Sequence, residues 1–260
     1  MPFTPAHVMA VLPAIRWRRV LHLDPTCLVL GSMAPDFEYF VRGEQAGSGF
    51  GHTWLGVLAW GLPMTLLLAA LYHGVVKWPL LVALPARATP LLARPWPVRG
   101  IAGGVSCTIA ALAGNATHVV WDGATHAKGM IVRRVPSLTA IEDVPVLGTM
   151  TIHRILQHAS TVVGLTAVVL VIAWQLWRTA PPAFDVPRAR ARWTFAACIA
   201  VGVTVLAGRV LVWGRAHDIG NVVVGAISGL LAGVVVGSLL VRRAGQWLAT
   251  RESADPELES

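Results

Sequence analysis

Long apolar runs dominate the chain, separated by short stretches rich in Pro, Gly and charge. Leu55 to Val76, Ile101 to about Val120, Ala159 to Trp177, Trp193 to Trp213 and Ile219 to Val241 each approach the ~20 residues a helix needs to cross a bilayer core. The pattern predicts an all-α, polytopic membrane bundle of about five transmembrane helices, with short interfacial helices beside them. Trp78 to Leu92 is also apolar, but Pro79, Pro85 and Pro90 interrupt it, which predicts an interfacial or re-entrant segment. Gly225, Gly229, Gly233 and Gly237 recur every four residues on one helix face. Such small residues let backbones approach closely, and packing within the bundle is the better reading than a dimer interface.

The stretches between the spans are short. Residues 1–54 read as a folded surface segment. Thr4 suits an N-cap and Pro5 the first helical position, opening a helix to about Leu12. Thr26 to Met33 forms a second short apolar stretch, ending at Pro35-Asp36, and Gly43 to Gly51 is a loop. Residues 127–150 look mixed and extended, with Pro136 and Pro145. Thr179 to Arg192 is a Pro/Arg loop. Residues 1–241 are expected to form one integral membrane domain, and the charged tail 242–260 to be disordered. The first apolar stretch is interrupted by Pro13 and followed by Arg16, Arg18 and Arg19, so the first true span is expected to insert the chain. Five spans would return residues 1–54, residues 118–158 and the pair His217–Asp218 to one face of the cell inner membrane.

Composition narrows the class. Of 260 residues, 55% are hydrophobic and 13% charged, against roughly 25% charged in soluble domains. That excludes an ordinary soluble protein. The formal net charge of +8 suits loops facing anionic headgroups, and no basic run interleaved with aromatics points to nucleic acid. Trp54, Trp78, Trp174, Trp177 and Trp193 fall where interfacial belts form. Cys27, Cys107 and Cys198 are an odd number without CxxC spacing, which argues against both a disulfide framework and a thiolate metal site.

Against this background the polar residues stand out. His118 and Asp122 lie four apart near a helix end, so they share a face and can hold one metal ion. His153 and Gln157 repeat the spacing. His7, Asp36, His52 and His126 add further ligand-type groups. Each has a plain structural alternative: His7 can serve its own helix, Asp36 a turn, His52 an interface, and His118 with Asp122 a simple hydrogen bond. His158 can replace His153 as ligand or support it. Asn115 and Thr117 can orient ligands, as can His217 and Asp218 at the same face. His22 and His73 read as structural. A haem between His118 and His158 is a weaker option.

The segments MPFTPAH, MAPDFEYF at 33–40, HT at 52–53, HVVWDGATHAKG at 118–129 and LQHAS at 156–160 resemble a bacterial membrane-protein family, domain of unknown function 4184, over essentially the whole chain. The order His, Asp, His, His-x3-Asp, His, His-x3-Glu also resembles membrane-bound metal-dependent hydrolases of the YdjM type, and the zinc-dependent phospholipase C and nuclease superfamily. Carried over, the resemblance implies His7, Asp36, His52, His118, Asp122, His126 and His153 as metal ligands, with Asp122 bridging two ions. The chain departs from that pattern at Gln157, where the pattern has Glu; Gln is a neutral and poorer ligand.

These readings predict a membrane-embedded hydrolase using one or two divalent ions, Zn²⁺ best matching a His/Asp ligand set. The expected substrate is a phosphoester in a lipid or lipid-linked phosphate. Asp36 is the candidate general base if it is not a ligand, and Arg133, Arg134 and Arg154 are candidate phosphate contacts. The rival reading is a non-catalytic membrane protein, either a metal or proton pathway or a scaffold, braced by a polar His/Asp cluster.

Overall fold

In the computed structural model, the described residues are 3–17, 22–44, 49–84, 88, 100–145, 148–179, 189–212 and 219–245. Pro85, Pro90, Arg18, Arg19, His217, Asp218 and the tail from residue 246 lie outside them. The described residues are mainly helical, with two short strands among them. Among the described residues, four helices are long and apolar enough to cross a membrane: Trp54–Ala83, Ile152–Arg178, Ala189–Leu206 and Gly220–Arg243. The fifth expected span, 101–120, lies on a 26-residue helix that is not among the four. Its C-terminal half carries Asn115, Thr117, His118 and Asp122, which lower its hydropathy. The chain divides into two compact units, Met1–Phe37 with Gly49–Leu67 and Pro97–Ile172, and Glu38–Ser48 with Leu68–Trp96 and Ala173–Ser260.

The first unit begins with a 3₁₀ turn, Thr4–His7, that runs into α1 (Val8–Arg16). Two expectations change here. Phe3, not Thr4, occupies the cap position, because the Thr4 hydroxyl is engaged elsewhere. The helix also continues past Leu12 with Pro13 inside it; Arg16 in its last turn favours the negative end of the helix dipole. α2 (Pro25–Gly31) is capped by Asp24, whose Oδ1 accepts from the Cys27 N–H at 2.6 Å. A 3₁₀ turn, Ala34–Asp36, leads into α3 (Phe37–Arg42).

After a second 3₁₀ turn, Phe50–His52, the chain enters α4 (Trp54–Ala83). α4 continues to Ala83, through the first residues of the Trp78 to Leu92 stretch that was expected to be interfacial or re-entrant. Pro79 follows a wider π-type turn, Tyr72–Val76, where the usual hydrogen-bond ladder is already altered and a missing N–H disrupts less. α5 (Gly100–Thr125) is followed by a 3₁₀ turn, Pro136–Thr139, and an antiparallel hairpin. Its strands β1 (Ile141–Val144) and β2 (Gly148–Thr151) pair Ile141 with Thr151 and Val144 with Gly148. α6 (Ile152–Arg178) begins at the hairpin's end.

α2 packs along α5 with almost nothing between the backbones. A Cβ on Gly31 would come within 2.6 Å of the Ala111 carbonyl, and one on Gly114 within 2.7 Å of the Ser32 nitrogen. Cys27 of α2 and Cys107 of α5 form a disulfide with their Cα atoms 5.4 Å apart. This overturns the expectation that the cysteines stay unpaired: residues 80 apart in sequence are brought together by a glycine-mediated helix contact that no CxxC spacing announces. Cys198 is free.

In the second unit, α7 (Ala189–Val212) and α8 (Ile219–Arg243) pack through glycine. A Cβ on Gly233 would meet the Cys198 carbonyl at 2.6 Å, and one on Gly229 would run into Gly202. Much of the glycine repeat therefore does serve packing between neighbouring helices. Val82, Ala191, Phe195 and Val241 form the apolar core here.

Candidate metal centre

Four elements of the first unit aim polar side chains at one point. His7 ends the first turn, Asp36 ends the Ala34–Asp36 turn, His52 ends the Phe50–His52 turn, and His118 and Asp122 project from one face of α5. The local sequence explains each placement. Gly49 adopts φ +60°, starting the turn that presents His52. Thr53 then caps α4, accepting from the Gly56 N–H at 2.9 Å while donating to the Phe50 carbonyl at 2.8 Å. The HT pair thus supplies a candidate ligand and the cap that holds it.

The group is buried: His7 is 2% exposed, Asp36 and His118 0%, and Asp122 5%. Asp36, His52, His118 and Asp122 each offer a ligand atom, and these atoms lie within 4.8 Å of one another. His52 Nε2 stands 3.2 Å from Asp36 Oδ1 and 3.3 Å from Asp122 Oδ2. His118 Nε2 stands 3.5 Å from each of the same oxygens and 3.3 Å from His52 Nε2.

The outer contacts set the chemistry of the inner ones. His118 Nδ1 lies 2.7 Å from the Ser32 carbonyl. A carbonyl only accepts, so Nδ1 carries a proton and Nε2 is the nitrogen turned toward two carboxylate oxygens. That arrangement is repulsive until a cation, either a proton or a metal ion, sits among the atoms. Asp36 is fixed in the same way: Oδ2 accepts from the Thr4 hydroxyl at 2.6 Å, leaving Oδ1 for the cluster. Thr4 and Ser32 were not anticipated as partners. Thr4 reads as a cap from its sequence, and a backbone carbonyl leaves no sequence signal.

Asp122 faces two ways. Oδ2 addresses His52 and His118, while Oδ1 lies 3.4 Å from His7 Nε2 and 3.6 Å from His126 Nδ1. His7 stacks on His118 with ring centroids 3.7 Å apart. Neither ring nitrogen of His7 has a hydrogen-bond partner among the described residues. His126 sets its Nδ1 3.1 Å from the Asp122 carbonyl, which again leaves Nε2 as the bare nitrogen.

Protonation follows from burial and neighbours. Burial, and then the adjacent His118, push His7 down to about 3, so its ring is neutral. Burial also lowers His126. For Asp36 burial favours the neutral acid, but His118 and His52 overcome it and hold the carboxyl below the ordinary range. For His52 burial opposes charge, and the bonds to Asp122 and Asp36 outweigh it and raise its pKa.

The remaining candidates sit elsewhere. His153 turns Nδ1 to the Leu138 carbonyl at 3.0 Å and Nε2 to the Thr151 hydroxyl at 3.2 Å, which ties the start of α6 to the loop before the hairpin. Gln157 is half-buried, and His158 is exposed. The haem pairing of His118 with His158 does not form, since one ring is buried and committed to the cluster and the other is exposed. Asn115 donates to Thr65 Oγ1 at 3.0 Å and to the Ala111 carbonyl, and Thr117 donates to the Gly114 carbonyl. Neither bonds a cluster residue; Asn115 instead joins α4 to α5. Arg133, Arg134 and Arg154 are exposed.

A family model covers residues 1–239, which include the whole cluster. The chain belongs to the family described as Domain of unknown function (DUF4184). No curated protein and no solved structure matches it. As a member of that family, the chain offers a His/Asp group that could bind a metal ion in a helical protein with four potential spans among the described residues.

Proposed function

We propose that the protein is a multi-pass inner-membrane hydrolase that uses a divalent metal, Zn²⁺, to cleave a phosphoester in a lipid or lipid-linked phosphate. The observation that carries this reading is the convergence of imidazole nitrogens and carboxylate oxygens on one buried point, with His118 Nδ1 turned outward to the Ser32 carbonyl. A donor set of two imidazoles and two carboxylates fits a small divalent cation. Asp36, His52, His118 and Asp122 would hold one ion. His7 and His126, with the other oxygen of Asp122, would hold a second. A bound ion of this kind supplies Lewis-acid activation of water and of a phosphoryl oxygen.

The protein's own groups do the rest. Thr4 and Ser32 orient Asp36 and His118, and the neutral His7 offers a lone pair. Asp36 acts as a ligand rather than as a general base, because one oxygen is committed to Thr4 and the other to the cluster. His153 and Gln157 are left out of the ligand set, since the His153 nitrogens are engaged at the hairpin. Arg133, Arg134 and Arg154 remain available to a substrate's phosphate. His52 and His126 are the more exposed members, so they mark the open side. Trp54 and Leu55, which follow the His52–Thr53 pair, are exposed apolar residues suited to a lipid interface.

A second reading has one observation in its favour. A proton on His52, lodged between Asp36 and Asp122, also relieves the repulsion, and the cluster would then be a brace in a non-catalytic protein. Metal content separates the two. Detergent-purified wild type should carry near-stoichiometric zinc or manganese by plasma mass spectrometry, lost in His118→Ala/Asp122→Ala, and should then hydrolyse members of a phosphoester panel. A well-folded wild type that takes up no metal would overturn the hydrolase reading.

A further inference from the structure

We infer that the Cys27–Cys107 disulfide is a positioning element: it holds the Ser32 carbonyl against His118, so the site keeps its shape only while that bond is oxidised, in an oxidising compartment. The path is short and mostly backbone. On α5, Cys107, Ala111, Gly114 and His118 are spaced four, three and four residues apart, on one face. On α2, Cys27, Leu28, Gly31 and Ser32 face them, Gly31 lying against Ala111 and Ser32 against Gly114. The disulfide closes one end of this contact, and the 2.7 Å approach of His118 Nδ1 to the Ser32 carbonyl closes the other.

α2 has only seven residues, too few to be stable alone. Its contact with α5 is made through glycine at Gly31 and Gly114, where there is little side-chain interlock to resist sliding. Ser32, whose carbonyl accepts from His118 Nδ1, is the C-terminal cap of α2. A shift of α2 therefore reaches the site directly. Both cysteines are buried, at 1% and 2% exposure. Disulfides persist outside the cytoplasm, so the same inference puts this face of the protein there. Opening the bond takes two electrons and two protons from a dithiol reductant, leaving two cysteine thiols and an oxidised dithiol.

The test uses full-length protein carrying Cys198→Ala, so that Cys27 and Cys107 are the only cysteines. Cells are acid-quenched, and the denatured protein is labelled with a maleimide. Both cysteines should resist labelling until reductant is added; labelling without reductant overturns the inference. The purified protein is then treated with diethyl pyrocarbonate, before and after dithiol reduction. Modification of His118, mapped by peptide mass, should rise severalfold on reduction and fall again on reoxidation, with the helical circular dichroism unchanged. Equal His118 reactivity in both states overturns the inference. So does loss of the helical signal, which would mark the bond as a general staple.

A metal arm rests on the function proposed above. Cys27→Ala/Cys107→Ala should bind Zn²⁺ about tenfold more weakly than its parent, the scale of a lost supporting contact; unchanged affinity counts against the inference. If the parent binds no metal, the proposed function fails, and His118 reactivity still decides this inference.

Discussion

Two helix pairs, one in each unit, use glycine to bring backbones together, and they use the closeness differently. A Cβ on Gly233 of α8 would stand 2.6 Å from a carbonyl of α7, and a Cβ on Gly31 of α2 would stand 2.6 Å from a carbonyl of α5. Around Gly233 the close approach creates van der Waals packing, with Val82, Phe195 and Val241 in the neighbouring core. Around Gly31 and Gly114 it brings a backbone carbonyl within reach of an imidazole and so selects which nitrogen faces a cluster of carboxylates. The same device is structural in one place and chemical in the other. The physical difference lies in what stands nearby on the helix: aliphatic side chains on α8, and on α5 His118 one turn on and Asp122 two turns on.

The comparison breaks most sharply at Gly114. Gly114→Val places two methyl groups against Leu28, Gly31 and Ser32, mostly backbone that cannot rotate away. α2 has to move, and the Ser32 carbonyl moves with it. We expect metal content to fall from near stoichiometric to background in protein that still elutes as a folded species, measured by plasma mass spectrometry on the purified peak. Retained metal at wild-type level would show that the α2–α5 contact does not set the site.

Thr4→Val tests the other outer contact. It removes the 2.6 Å hydrogen bond to Asp36 Oδ2 with little change of shape. An orienting partner of this kind is worth about 10–100-fold in metal affinity, and Thr4→Ser should restore most of it. Competition titration with a chromophoric chelator measures the change. Equal affinities for wild type and Thr4→Val would show that Thr4 does not orient a ligand.

The pH dependence should be smaller and has a definite sign. His52 has a raised pKa, so in the metal-free site it holds a proton that an incoming ion must displace. Asp36, held low, stays charged across the working range and adds no slope. Metal affinity should therefore rise with pH, by about tenfold per pH unit for each proton an incoming ion displaces. The metal-free protein should behave oppositely. A raised folded-state pKa stabilises below the unfolded value, and that contribution is lost as pH rises through the folded value. Affinity measured at several pH values, beside thermal unfolding of metal-stripped protein, checks both slopes. A flat affinity profile would remove His52 from the ligand set.

Much of the site was legible in the sequence, for reasons that differ by residue. His118 and Asp122 were legible because four-residue spacing on a helix fixes a shared face. His7, Asp36 and His52 were legible as chemistry, since such groups are costly in apolar surroundings without a purpose. Their meeting point comes from turns and helix contacts and no longer depends on counting spans. His153 and Gln157 show the limit: an i, i+4 pair at a helix start looks the same whether it faces a cluster or a hairpin, and only tertiary contacts with Leu138 and Thr151 decide. Cys27 with Cys107 and His118 with Ser32 were not legible, because one pairing spans 80 residues and the other uses a backbone atom. In the fold, the α4 boundary was missed because Pro79 reads as a breaker unless the π-type turn before it is known.

The smallest expected effect on the site is the control that gives the comparison its meaning. Gly233→Val overpacks α7 against α8 as Gly114→Val overpacks α2 against α5, since its Cβ meets Cys198 and Ile199 backbone. Overpacking of this kind costs about 1–3 kcal/mol, which should appear as a lower midpoint in thermal or denaturant unfolding. Metal bound per folded molecule should not change, because no cluster residue belongs to that unit. If Gly233→Val also strips the metal, close packing anywhere in the protein supports the site, and the distinction between packing glycines and aiming glycines fails. If stability falls while metal stays, the glycines at Gly31 and Gly114 have a role that packing alone does not describe.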